Sequence, residues 1–246
     1  MDAQPRPFVP PHPTPRNRPP TRLDLIRTTM RTPLEIWGEP SYRQPHISVK
    51  FLADHVVIAN HPGGIADGVA VWQALREKRP DVCFFANRDA LRVSPGLSDL
   101  IIPVEWRQNF RSRENARETL KSALEAFKSG RCVVIFPAGR MAEWSWTEWR
   151  LMEKPWMPTA VSFARRFGQP IIPLGVRQRM PVLYYALAQI HTELKDMTVF
   201  QGFIGKKGAH YPLRFGEPID PKTLPESEAG ATELIREACE RLAWGR

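Results

Sequence analysis

The sequence predicts an α/β fold, with a mixed, mostly parallel central sheet that is flanked by helices. Short apolar runs typical of buried strands alternate along the chain with amphipathic segments of helical length. This alternation indicates parallel strands joined by helical crossovers. The chain has 246 residues, of which 42% are hydrophobic, and this is enough for one sizeable core.

The expected elements begin with a helix over Thr21–Arg31, whose apolar residues fall near one face. We expect this helix to pack on the domain, although its arginines would also suit a membrane surface. The predicted strands are Ile47–Phe51, Val56–Ala59, Cys83–Ala86, Leu100–Val104, Cys132–Phe136, Ile171–Val176 and Leu213–Phe215. The predicted helices are Asp67–Lys78, Ser112–Lys128, Pro158–Phe167 and Glu228–Trp244. Functional groups gather where the strands of such a sheet end.

Residues 1–20 contain eight prolines, which predicts a disordered, proline-rich tail ahead of a single domain over residues 21–246. No secretory signal is expected, because this tail has no apolar stretch. The apolar run Pro181–Ile190 is shorter than the ~20 residues of a membrane-spanning helix. The three dispersed cysteines are expected to be buried and reduced, which favours a cytoplasmic protein. They are Cys83, Cys132 and Cys239.

The formal net charge of +9 is unevenly distributed along the chain. Residues 217–240 hold seven acidic and two basic residues, so the part of the chain before them is strongly basic. A basic body suits an anionic partner, which could be nucleic acid, anionic lipid or a phosphorylated substrate. Solubility alone would also explain this charge.

The nine residues Asn60–Gly68 carry the clearest chemical signal. They follow a strand-like run and precede a helix-like run, so His61 lies at a strand end and Asp67 near a helix start. A carboxylate bonded to one imidazole nitrogen leaves the other ready to accept a proton, and Asp67 could serve His61 in this way. Gly63 and Gly64 could let the turn approach a ligand and leave amides free for an oxyanion or phosphate. The alternative is a turn histidine beside a helix-capping aspartate.

Later strand ends carry arginine, glycine or proline in a fixed order. They are Phe84–Leu91, Leu100–Arg107, Val133–Arg140 and Gln169–Leu174. Together with the His61 segment, their order and spacing resemble the glycerolipid acyltransferase family, in its bacterial lysophosphatidic acid acyltransferase (PlsC-like) group. That family carries His-x4-Asp, then a strand ending in arginine, then a motif like Phe-Pro-Glu-Gly-Thr-Arg, then an apolar Ile-Val-Pro strand. The resemblance covers roughly Val56–Val176.

The resemblance implies a glycerolipid acyltransferase-like fold and an acyl transfer reaction. The acyl group would pass from acyl-CoA or acyl-carrier protein to the hydroxyl of a lysolipid. His61 would remove the hydroxyl proton, and Asp67 would orient His61. Apart from the thioester co-substrate, no cofactor and no metal is implied. The enzyme would work in the cytoplasm, attached peripherally to the inner face of the cell membrane, with no nucleic acid partner.

The resemblance also implies where the acceptor binds. Arg107 would hold an anionic headgroup, and Arg88 or Arg92 are further candidates for this role. The third motif would line the acceptor site through Pro137, Gly139 and Arg140. In the fourth motif the matching position is Pro173.

Two departures from the family pattern bear on the acceptor. Five residues, instead of four, separate His61 from Asp67. The pattern His-Pro-x-Gly-x-x-Asp-Gly resembles hemolysin-like and lyso-ornithine-lipid acyltransferases, so this spacing marks a subgroup. In the third motif Ala138 stands where the family has glutamate, and Arg140 comes one place early. The acceptor therefore need not be lysophosphatidic acid.

Tryptophans are concentrated between the third and fourth motifs. They are Trp144, Trp146, Trp149 and Trp156, accompanied by Arg140, Arg150 and Lys154. Indole rings favour membrane interfaces, and nearby basic residues are attracted to anionic lipid. We therefore expect this segment to dock on lipid. The alternative is a tryptophan-rich cover over the core.

Two other classes of function compete with acyl transfer. A thioesterase or hydrolase would use water in place of the acceptor, although the sequence has no Gly-x-Ser-x-Gly elbow of a serine hydrolase. A non-enzymatic, basic membrane-binding or nucleic-acid-binding protein is the second alternative. Such a protein would tolerate the loss of His61, whereas an acyltransferase would not.

Overall fold

The computed structural model describes residues 55–93, 95–105, 112–190, 198–199, 202, 205–206 and 210–245. The expected tail over residues 1–20, the helix Thr21–Arg31, the strand Ile47–Phe51 and Arg107 lie outside the described residues. The single-domain boundary at residue 21 therefore stays a prediction.

The central sheet has six strands in the spatial order β3-β2-β4-β1-β7-β8, and β5 and β6 form a separate antiparallel hairpin. Neighbouring strands of the sheet are parallel, except that β8 runs antiparallel to β7. The predicted mixed, mostly parallel sheet is therefore confirmed. The strands are β1 (Val56–Ala59), β2 (Cys83–Asn87), β3 (Ile101–Val104), β4 (Val133–Ile135), β5 (Glu143–Ser145), β6 (Arg150–Met152), β7 (Ile171–Val176) and β8 (Leu213–Phe215).

The helices are α1 (Ile65–Leu75), α2 (Asp89–Val93), α3 (Arg113–Lys128), α4 (Thr159–Phe167), α5 (Val182–Ile190) and α6 (Glu228–Trp244). Two of them begin with a capping serine. The Ser112 hydroxyl accepts the Asn115 amide at 3.0 Å, and the Ser227 hydroxyl accepts the Gly230 amide at 3.3 Å. Such caps satisfy amides that the first helical turn leaves unpaired.

Helices cover both faces of the sheet. Alternate residues of each strand point to opposite sides, so each strand contributes side chains to both core clusters. Val57 and Ala59 of β1 pack into the cluster that contains Trp72 of α1. Val56 and Ile58 pack into the other cluster, with residues of α3, α4 and α6. Two covered faces explain why the strands read as continuous apolar runs without polar alternation.

The β5–β6 hairpin and the helices α2 and α5 were not predicted. The β5–β6 hairpin falls where the sequence suggested only a tryptophan-rich segment, and its strands of three residues each are too short for a period to be read. Helix α5 corresponds to the apolar run Pro181–Ile190, which was considered only as a membrane span. Within the described residues, no helix is long and apolar enough to cross a membrane.

Candidate active site

The carboxyl ends of β1 and β4 bring two sequence-distant segments together at one edge of the sheet. These strands are parallel neighbours, so the residues that follow them emerge side by side. His61 follows β1, and Phe136 follows β4. Their rings stack with centroids 4.4 Å apart, which fixes one face of the imidazole. The first and third sequence motifs therefore meet at a single site.

His61 and Asp67 form the hydrogen-bonded pair that the sequence suggested. His61 Nδ1 lies 3.0 Å from Asp67 Oδ2. The aspartate side chain is fully buried, whereas 20% of the histidine side chain is exposed. A carboxylate acceptor at Nδ1 holds the proton on that nitrogen and leaves Nε2 free to accept another. Chemically, this arrangement can serve as an oriented general base.

Hydrogen bonds at the end of β1 and the start of helix α1 hold His61 and Asp67 in position. Asn60 ties the end of β1 to β7: its side-chain amide donates to the Val176 carbonyl at 2.9 Å and accepts the Val176 amide at 2.7 Å. Helix α1 begins at Ile65, two residues earlier than expected, so Asp67 lies within its first turn. The positive end of the helix dipole stabilises a carboxylate at this position.

The two glycines of the turn serve packing, which corrects part of the sequence interpretation. The Gly63 amide donates to Asp67 Oδ2 at 2.7 Å, so it is not free for a substrate oxyanion. A side chain at Gly63 would collide with the Asp67 carboxylate and with the Lys206 ammonium. Gly64 has φ +69, and a side chain there would collide with Met141.

Two residues beyond the predicted motifs complete the surroundings of Asp67. The Tyr211 hydroxyl donates to Asp67 Oδ1, and burial together with this carboxylate raises the pKa of the phenol well above its ordinary value. The Lys206 side chain is 8% exposed, and its ammonium has no hydrogen-bond partner among the described atoms. Burial lowers the pKa of Lys206, and the Asp67 charge opposes this shift. No sequence pattern pointed to either residue.

Glu153 is a third residue that the sequence did not indicate. It follows β6, and its carboxylate accepts the backbone amide of His61 and the indole N–H of Trp156, the latter at 2.6 Å. Burial raises the pKa of Glu153 to about 7, although both hydrogen bonds oppose the shift. The backbone N–H of His61 is thus hydrogen-bonded to Glu153, which directly follows the hairpin.

The residues predicted to bind the acceptor, which are arginines and members of the third motif, differ in their surroundings. Arg88 follows β2, and its guanidinium pairs with Glu118 of α3. Arg107 lies outside the described residues. Pro137 is buried and accepts the Met157 amide at 3.1 Å, Gly139 has φ +65, and Arg140 is exposed. The acceptor-binding roles of these residues stay predictions.

The four tryptophans do not form one surface. Trp146 and Trp149 are 56% and 71% exposed, whereas Trp156 is 8% exposed and belongs to the core. Trp144 lies between these extremes as a half-buried residue of β5. The core interpretation is thus confirmed for Trp156, and docking of the exposed tryptophans on lipid stays a prediction.

The sequence profile of the family described as Acyltransferase matches residues 46–177, which is more than half of the chain. The chain belongs to the acyltransferase family. The match includes the His61–Asp67 pair and the third motif, and it ends before Lys206 and Tyr211. The resemblance to the PlsC-like group is therefore confirmed at the level of the family.

Two acyltransferases are similar to this chain. The lyso-glycine lipid O-acyltransferase of Phocaeicola vulgatus is 28% identical over 181 residues. The aligned region covers 71% of this chain and 62% of that relative, so the chain spans less than two thirds of the relative's length. The crystal structure of the 1-acyl-sn-glycerophosphate acyltransferase PlsC from Thermotoga maritima matches with a TM-score of 0.49 and 17% identity. That match covers 89% of this chain and 77% of the other.

The longer His61–Asp67 spacing in this member of the acyltransferase family is compatible with the pair. Pro62, Gly63 and Gly64 lie between His61 and the start of α1, and the His61–Asp67 hydrogen bond forms across them. Position 138 is alanine, so it provides no carboxylate, and Glu153 accepts the backbone amide of His61. This acyltransferase-family site therefore departs from the expected third motif at Ala138.

Proposed function

We propose that this protein transfers an acyl group from a thioester, acyl-CoA or acyl-carrier protein, to the hydroxyl of a lysolipid. The observation that carries the proposal is the buried Asp67 bonded to Nδ1 of a partly exposed His61 at the carboxyl edge of a parallel sheet. Membership of the acyltransferase family supports the same chemistry.

In the proposed reaction, His61 Nε2 removes the proton from the acceptor hydroxyl. The hydroxyl oxygen then attacks the thioester carbonyl carbon, and an ester bond forms as the carbon–sulfur bond breaks. The imidazolium returns the proton to the departing thiolate, which leaves as a thiol. Asp67 stabilises the imidazolium through the Nδ1 hydrogen bond. Protons and bonds balance without a further reactant.

A lysolipid acceptor is supported by the relative from Phocaeicola vulgatus, whose name specifies a lyso-glycine lipid. The absence of a carboxylate at Ala138 also favours an acceptor other than lysophosphatidic acid. We further propose that Arg88, Arg107, Pro137, Gly139 and Arg140 border the acceptor, and that the protein works peripherally at the inner face of the cell membrane.

The decisive experiment measures thiol release from acyl-CoA in the presence of a panel of lysolipids. Replacing His61 by Ala should lower acceptor-dependent release by about 10²–10⁴-fold, because the general base is lost. His55→Gln is the matched control, since His55 lies just before the same strand at the opposite edge of the sheet. The control should retain activity.

The same experiment separates the competing functions. Release that does not require an acceptor would indicate a thioesterase. Acceptor-dependent release that persists in a folded His61→Ala variant would refute the proposed base. Unaltered circular dichroism of the variant is the necessary check on folding.

A further inference from the structure

Three indole rings cluster at the tip of the β5–β6 hairpin. Trp146 and Trp149 occupy the turn, and their ring centroids lie 5.7 Å apart. Trp144 packs edge-on against both rings, at 6.2 Å and 6.4 Å. We call these three residues the tryptophan tip. Two of its rings are more than half exposed to solvent.

The backbone at this tip is strained. Trp149 has φ +50, a left-handed conformation that bulky side chains rarely adopt. Outliers of this kind persist where the surrounding structure imposes them, and they cluster at functional sites. The hairpin thus holds a large apolar ring outward at a position where glycine or asparagine would relieve the strain.

The apolar surface extends from the hairpin onto helix α5, which contacts β5. Val182, Leu183 and Ile190 of this helix are 83%, 53% and 74% exposed. Seven of the ten exposed large apolar side chains in the described residues lie between residues 146 and 190. The surface of a soluble protein rarely concentrates exposed apolar side chains in this way unless that surface binds another protein, a ligand or a membrane.

Positive charge accompanies this surface. The guanidinium groups of Arg177 and Arg179 lie 5.9 Å and 5.6 Å from the Trp244 ring centroid. Arg179 and Trp244 line the same groove as Trp144 and Trp149, together with Arg150 and with Glu240, whose carboxylate is paired with Arg236. Within the described residues neither arginine has an acidic partner. Exposed indoles beside unneutralised arginines match the interface of an anionic bilayer, which offers apolar depth and negative headgroups.

The hairpin is attached to the candidate active site at both of its ends. Before β5, the Ala142 amide donates to the His61 carbonyl at 3.2 Å. After β6, Glu153 accepts the His61 amide. Lys154 and Glu143 form an ion pair of 3.0 Å across the base of the hairpin. The hairpin therefore connects the tryptophan tip at one end to the His61 turn at the other.

We propose that the tryptophan tip, together with the exposed face of α5, docks on an anionic phospholipid bilayer beside His61. The acceptor would then reach His61 from that bilayer without crossing water. Docking on the bilayer does not depend on the proposed acyl transfer. Delivery of the acceptor to His61 does depend on the proposed function.

Cosedimentation with vesicles of phosphatidylcholine and phosphatidylglycerol tests the docking. The double variant Trp146→Ala/Trp149→Ala should bind about tenfold more weakly, because apolar burial in the interface is lost. The matched control is Leu120→Ala/Leu234→Ala, which removes side chains of 44% and 43% exposure from two other helices. The control should bind as the unmodified protein does. Equal binding by the tryptophan variant would overturn the proposal.

A second measurement does not depend on the stability of the double variant. Brominated lipids should quench the tryptophan fluorescence of the unmodified protein, and Trp149→Phe should reduce this quenching. Absence of quenching would overturn docking by the tip.

An activity measurement separates docking from acyl transfer. The ratio of turnover on a vesicle-presented lysolipid to turnover on a monomeric short-chain lysolipid should fall about tenfold in the double variant. If no lysolipid is acylated while tip-dependent vesicle binding persists, the proposed function fails and the docking stands. An unchanged ratio in an active enzyme would contradict delivery from the bilayer.

Discussion

Asp67 is a fully buried carboxylate that depends on its neighbours for solvation. It accepts hydrogen bonds from His61, from the Gly63 amide and from the Tyr211 hydroxyl. Burying a charge is costly unless it is paired and hydrogen-bonded, so each donor contributes to keeping this carboxylate in the fold. The Tyr211 phenol is protonated at neutral pH, and its raised pKa keeps it a donor in more alkaline solution as well.

Tyr211→Phe should lower kcat by about tenfold or more while KM for the acceptor changes little. The substitution keeps the ring and removes one charge-assisted hydrogen bond to Asp67, a loss of about 1.5–3 kcal/mol. Steady-state acyl transfer assays would measure both constants. Tyr185→Phe is the control, because the Tyr185 hydroxyl accepts the Met180 amide at 2.9 Å. A folded Tyr211→Phe variant with unchanged kcat would show that this donor is dispensable.

At the scale of elements, the β5–β6 hairpin is attached to the candidate active site through Glu153. The carboxylate holds the His61 amide and the Trp156 indole together. Because burial raises its pKa to about 7, from an ordinary value of 4.5, the folded protein favours the protonated acid. The contribution of Glu153 to the free energy of unfolding is therefore complete below about pH 4.5 and is lost as the pH rises through about 7.

Glu153→Gln should flatten the dependence of stability on pH. Between about pH 5 and about pH 8 the unmodified protein should lose on the order of 2 kcal/mol more unfolding free energy than the variant. Urea unfolding at both pH values measures this difference. Glu148→Gln is the control, because that side chain is 53% exposed in the same hairpin. Equal pH dependence in Glu153→Gln and the unmodified protein would contradict the role assigned to burial.

At the scale of the whole molecule, helix α6 closes one face of the sheet by packing directly on β7. Gly175 of β7 permits this approach, because a side chain there would collide with the backbone of Leu242 and Ala243. The Cys239 thiol lies in the same interface and donates to the Ile58 carbonyl at 3.2 Å. The carboxyl-terminal helix thus supports the two strands that precede and flank the His61 turn.

Gly175→Ala should lower the free energy of unfolding by about 1–3 kcal/mol, because overpacking displaces α6 from the sheet. Chemical denaturation measures this change. Gly68→Ala is the matched control, since nothing lies within 4 Å of a side chain added there. In the interior of α1 that substitution should be neutral or stabilising by about 0.5–1 kcal/mol. Equal stability of the two variants would refute the packing argument.

Local patterns in the sequence were sufficient for most of the fold. The strands Val56–Ala59, Ile171–Val176 and Leu213–Phe215 and the helix Glu228–Trp244 have their predicted bounds. Helix α1 begins earlier than predicted, because Gly64 at φ +69 provides the N-cap and Asp67 lies within the first turn. The hairpin and α5 escaped prediction, because three-residue strands have no readable period and an apolar helix resembles any buried segment.

The sequence by itself determined the α/β class, the succession of buried strands along the chain and the His61–Asp67 pair. These depend on interactions between residues close in the chain, and the pair spans a single turn. Only the tertiary structure decided the contacts of Tyr211, Lys206 and Glu153 with this site. Tyr211 lies 144 residues from Asp67, and Glu153 lies 92 residues from His61. Such pairings are set by the order of strands in the sheet, which no local pattern contains.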